Sequence, residues 1–254
     1  MQLSRLPVGH GVARSTVAAG RVDRHPVKRL RTTSAFLVIA TFGTPEERRA
    51  MRAEVNRAHR TVHSAPGDPV AYDAFDPELQ LWVAACLYMG VEDMHTRLRG
   101  PLDPAYVDEV LYPNARWLGS TLQVPDRLWP ADRAAFQAYW DAGVASIAMD
   151  DLTRAYLQGV ADLAFLVAPL GPFGAPLRPL LRPVGRFFTL GFLPEPFRAE
   201  LGLPWSGRRQ ARFESVMATV MAVSRRLPGP LRRFPFNVYL WDTRRRIRRG
   251  RPIV

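Results

Sequence analysis

Cysteine is almost missing from this chain of 254 residues. Cys86 stands alone, so no disulfide within the chain can brace the fold, and a reducing compartment suits it. Lysine is as scarce: Lys28 is its sole representative, and the formal charge of +12 is carried by arginine. The longest apolar run is read as Ala35 to Phe42, far under the ~20 residues that a bilayer-spanning helix takes. The N-terminus, MQLSRLPVGHGVARST, lacks the apolar stretch of a signal peptide. These absences argue against a disulfide-stapled secreted scaffold and predict a soluble, cytoplasmic protein that touches a membrane only peripherally. Arginine without lysine, alongside abundant Ala and Pro, has two readings: GC-rich coding, or attraction to an anionic partner. The arginines are spread along the chain without a DNA- or RNA-binding motif, which speaks against nucleic acid.

Helix signals recur and strand signals do not. His25-Pro26 opens a segment with Val27, Leu30, Phe36, Leu37 and Ala40 at helical spacing, ended by Gly43. Thr44-Pro45-Glu46-Glu47 combines a capping box with proline at the first helical position, and Met51, Val55, Ala58 and Val62 carry that helix to His63. Asp76-Pro77 and Asp103-Pro104 repeat the device for two further helices. One long helical stretch is expected from Phe136 through Tyr156 to Leu163. From Pro169 the composition changes. Prolines 169, 172, 176, 179 and 183 predict a chain that wraps over a surface, followed by an amphipathic helix around Arg212 to Arg226 and an arginine-rich tail from Arg244 to Arg251. The expected class is all-α, with residues 1–168 as a helical core and 169–254 packed on the same domain.

The candidate chemistry lies on neighbouring helices. His59 and His63 are four apart, so a continuous helix puts both on one face beside Val55 and Val62. A histidine among aliphatics needs partners, because a buried polar group without one costs about 1–3 kcal/mol. Hydrogen bonding to a carboxylate or carbonyl is one solution; ligation of a metal or haem iron is the other. The His59–His63 spacing suits zinc, but Arg60, Thr61 and Val62 lack the glutamate of the zinc-protease signature. A third ligand would have to come from His95, Glu92 or Asp93. Cys86, among Val83, Leu87 and Met89, reads as a buried, inert thiol.

Arg29 and Thr33, then Phe42-Gly43-Thr44, His59-Arg60 with Val62, and Tyr72, Ala74, Asp76-Pro77-Glu78-Leu79 and Trp82 form an ordered series. It continues in Gly100-Pro101-Leu102, Leu118-Gly119, Leu193-Pro194, Phe197-Arg198 and Leu201-Gly202-Leu203. This series resembles the MpaB/rubber oxygenase family, which includes the latex-clearing proteins, over roughly residues 3 to 235. The resemblance implies a globin-like helical domain around a b-type haem, with His59 as the axial ligand of the iron, His63 as the alternative, and Arg29 and Thr33 lining the haem site. It implies an oxidoreductase that acts with O2 on a small apolar substrate, an isoprenoid or another alkene. The second ring nitrogen of His59 is expected to donate to the Val55 carbonyl. The chain also departs from the family. Between Gly11 and Thr16, relatives often carry an acidic residue and a histidine where this sequence has Arg14 and Ser15, and a glutamate near there serves as base in the rubber-cleaving branch. Many relatives have histidine after the valine that follows Trp82; here Val83 is followed by Ala84. The competing reading is a non-enzymatic helical protein that binds a membrane surface or an acidic partner through its arginine tail.

Overall fold

The computed structural model describes residues 1–15, 17 and 20–253, and among them the fold is all-α. Only an isolated bridge between His63 and Asp73 has strand-like pairing among the described residues. α1 (Leu6–Arg14) leads to α2 (Pro26–Phe42), α3 (Pro45–His59) and the longest helix, α4 (Pro77–Arg99). The expected start signals act as such. Thr44 and Glu47 form the reciprocal capping box, with bonds of 3.3 and 2.9 Å, and the Asp76 carboxylate accepts from the backbone N–H groups of Glu78 and Leu79.

α5 (Tyr112–Thr121) continues from a π-helical turn over Val107–Leu111, and α6 (Arg133–Ala145) follows a connection. The expected long stretch from Phe136 to Leu163 is two helices. α6 stops at Ala145, and α7 (Asp151–Ala161) begins afresh because the Asp150 carboxylate caps the Thr153 N–H at 2.7 Å. The core sits between α2, α3, α4, α5 and α6, with Ile39, Met51, Trp82, Tyr88 and Phe136 fully buried in it. Trp82 stacks on Trp140 with ring centroids 5.4 Å apart, and its indole N–H donates to the Gln2 carbonyl at 3.1 Å.

The proline-rich stretch lies over the surface, and it is helical. Ala168–Leu177 is a 3-10 segment broken at Gly171, where φ is 54°, and α8 (Arg178–Phe192) carries Pro179 in its first turn. Proline there removes an N–H that had no partner in any case, which is why the ring is tolerated. Ala164–Phe192 is also long and apolar enough, by length and composition, to cross a membrane. Counting uninterrupted apolar residues had hidden it behind Gly171 and the prolines. α9 (Glu195–Leu201) sends Phe197 into the main core, and α10 (Gly207–Arg226) packs on α4 and α8.

The arginine-rich tail lies against other helices. Most of it is the last turns of α11 (Phe236–Arg248), which packs on α2 and α3. Arg244 pairs with Glu47 at 2.9 Å, Arg246 pairs with Asp242, and the Ile253 N–H donates to Glu54 at 3.1 Å.

Candidate active-site cavity

A cavity of about 1320 Å³, counting its open mouth, lies beside the core and takes one face from each of the first four helices. α1 supplies Pro7, Val8, Gly11 and Val12; α2 supplies Arg29, Thr32, Thr33 and Phe36. α3 gives Val55, Ala58 and His59, and α4 gives Leu79, Gln80, Val83 and Leu87. Each set recurs every three or four residues, as one face of a helix must. Tyr72 and Ala74, from the loop before α4, complete the wall. The lining is mainly apolar, with a few polar groups converging on it, the usual make-up of a small-molecule site.

His59 is the last residue of α3 and its ring lines the cavity. Nδ1 is buried and, among the described residues, has no hydrogen-bond partner. The expected bond from this ring to the Val55 carbonyl is therefore not formed. In a helix that carbonyl already accepts the backbone N–H of residue 59, four positions on. Burial lowers the proton affinity of His59, and the positive charge of Arg29 lowers it further, so the imidazole is held neutral. Burial likewise disfavours the charge on Arg29 itself. Thr33 lines the cavity one turn from Arg29, and Thr32 donates its hydroxyl to the Arg29 carbonyl at 3.1 Å.

His63 lies elsewhere. α3 ends at His59, so the continuous helix expected through residue 63 does not exist, and the shared face is lost with it. His63 is exposed, away from the cavity lining, with Nδ1 3.2 Å from the Ser64 carbonyl. Among the described residues no three His, Cys, Asp or Glu side chains gather to hold a metal, and the zinc reading of His59, His63, His95, Glu92 and Asp93 has no geometry behind it. Cys86 is buried and its thiol is pushed up to about 12, chiefly by burial, which makes it the inert group its surroundings suggested.

Sequence reasoning missed a buried imidazole. His10, on α1, is 4% exposed and its Nδ1 sits 2.6 Å from the Asp150 carboxylate, 140 residues away. Burial by itself would raise the Asp150 carboxyl, but the bonds from His10 and Thr153 outweigh it and hold the group below its ordinary value. The pair ties α1, one wall of the cavity, to the start of α7. Nothing local in the sequence announces that a residue in α1 reaches Asp150.

Over residues 1–222 the chain matches the family described as ER-bound oxygenase mpaB/B'/Rubber oxygenase, catalytic domain. The chain belongs to the mpaB/rubber oxygenase family. The matched region is an oxygenase catalytic domain, and the cavity falls entirely within it. An uncharacterized protein of Mycobacterium tuberculosis and another of Mycobacterium bovis are each 46% identical to it over 254 residues, covering 100% of this chain and 96% of theirs. No solved structure matches.

The departures noted in the sequence can now be placed. Arg14 is exposed and pairs with Asp68 at 3.3 Å, whereas Ser15 is buried on the cavity wall and accepts from the Val17 N–H. Thr16, which ends that stretch, lies outside the described residues. A serine hydroxyl at this wall position offers a hydrogen bond where a carboxylate would offer a base. Ala84 is fully buried in the core cluster while its neighbour Val83 lines the cavity, so a histidine at 84 would meet packed side chains.

Proposed function

We propose that this mpaB/rubber oxygenase family member is a haem-dependent oxygenase that acts with O2 on a small apolar substrate carrying a carbon–carbon double bond. The observation that carries the reading is the His59 imidazole: neutral, lining a mainly apolar cavity, with a buried nitrogen that no group among the described residues satisfies. A tetrapyrrole brings four nitrogens of its own and would ask the protein for a further donor, which the neutral imidazole of His59 could supply.

Bound there, haem would supply the activation of O2. The protein's own contributions are binding, orientation and the exclusion of water. His59 would hold the iron. Arg29, a cation in a poorly hydrated wall, would pair with a carboxylate of the cofactor or with negative charge arising beside it. Thr33, one turn along, would add a hydroxyl donor at the same wall. Val8, Val12, Phe36, Val83 and Leu87 would shield an alkene chain from water.

The test is an absorption spectrum of protein purified from haem-replete cells, compared with His59→Ala. A Soret band present in the wild type and lost in the variant is the expected result. A colourless protein that takes up no hemin on reconstitution overturns the proposal.

A further inference from the structure

The charge of this chain is strongly segregated. Before residue 163, 18 cations face 19 carboxylates; from 163 onward 17 arginines face four carboxylates, so the whole positive excess belongs to the last third. Between Leu163 and Pro194 there is no acidic residue at all. That same segment carries the apolar helical stretch Ala164–Phe192, of whose most apolar window only 11% is buried. Phe173 is 85% exposed and Leu180 67%, with Leu166, Leu170, Val184 and Phe188 also open. Leu180, Val184 and Phe188 recur at every fourth residue and form one outward row on α8. The opposite flank seats Gly185 against the Ala161 carbonyl and Leu163, so no protein element covers the outward row among the described residues.

We infer that this face, the Ala168–Leu177 segment with the outward row of α8, seats in the interface of an anionic lipid bilayer, lying in its plane. A span is disfavoured by the backbone. Gly171 breaks the helix, Pro172 and Pro176 lack N–H donors, and Arg178, Arg182 and Arg186 fall inside the stretch. In hydrocarbon, carbonyls left without donors would be costly, whereas at the headgroup level water satisfies them. Charge picks the lipid. Arg178 and Arg182 are exposed on α8, and α10, packed against it, adds exposed Arg208, Arg209 and Arg212. Of the carboxylates around it, Asp162 holds Arg186 and Arg182, Glu200 holds Arg154 and the Met149 N–H, and Glu214 accepts from Gln210, while Glu195 is exposed. Apolar side chains with flanking cations are what an interfacial anchor on anionic headgroups requires. This inference does not rest on haem or on the cavity.

The experiment is co-sedimentation of the full chain with phosphatidylcholine vesicles, with and without phosphatidylglycerol. Binding to the anionic vesicles alone, weakened by salt, is expected, as is at least about tenfold weaker binding by Phe173→Asp/Leu180→Asp. Both residues are exposed, so the variant should keep its helical circular dichroism and, where the wild type has one, its haem spectrum. Equal binding by variant and wild type, or no binding by the wild type to anionic vesicles, overturns the inference. So does a wild-type dimer in light scattering that ignores vesicles and dissociates in the variant, since the face would then bind a second copy of this chain.

Discussion

Two imidazoles of this molecule have opposite surroundings. His10 meets a carboxylate at 2.6 Å and through it locks α1 to α7. His59 meets the positive field of Arg29, has no partner for its buried Nδ1 among the described residues, and faces a cavity. Histidine among aliphatics is a single pattern in sequence, yet one instance is a structural clasp and the other is a donor left available. What separates them is the charge and the space that distant parts of the chain bring to the ring.

The largest effect should come from breaking the clasp. Asp150→Ala removes both the partner of His10 and the cap of α7, and should cost about 2–4 kcal/mol in denaturant unfolding. His59→Ala removes a polar group that the fold leaves unsatisfied and should change stability by less than about 1 kcal/mol, whatever it does to ligand binding. Comparable losses in both variants would erase the distinction.

Acid should sharpen the comparison, in protein prepared without haem. The folded value of His59 lies below its ordinary 6.5, so protonation favours the unfolded chain. Its contribution is fully present above 6.5 and drains away as pH falls through the interval down to the lowered folded value. Asp150 is held below its ordinary 3.8, so its contribution is present above 3.8 and is lost as pH falls through its still lower folded value. Urea midpoints measured against pH should therefore show two separate declines. His59→Ala should flatten the upper one, and Asp150→Asn the lower one. The smallest effect belongs to His63→Ala, at an exposed site outside the cavity lining, within about 0.5 kcal/mol by thermal melting and without change in any haem spectrum.

Much of the scaffold was legible because its signals are local. The capping box at Thr44, the Asp76-Pro77 start and the periodic apolar faces each act within a few residues, and each appears in the structure as written. Where legibility failed, the deciding partner was remote or the local cue was misleading. The end of α3 at His59 removed a shared face with His63 that spacing alone implied. Prolines that suggested a surface wrap sit in a 3-10 segment and in α8, where Pro179 falls in the first turn at little cost and Pro183 lies inside the helix. The arginine run was plain in the sequence, but the pairing of Arg244 with Glu47, 197 residues away, was not.

By itself, the sequence determined that this chain is helical, where most helices begin, and that Arg29, Thr33 and His59 belong to an ordered family series, because caps, periods and motifs are written in neighbouring residues. Tertiary structure alone decided which histidine is clasped and which stands open to a cavity. It also left one apolar row uncovered on the most basic third of the molecule. Burial, field and free space at a side chain are sums over elements far apart in the chain, and no local pattern contains them.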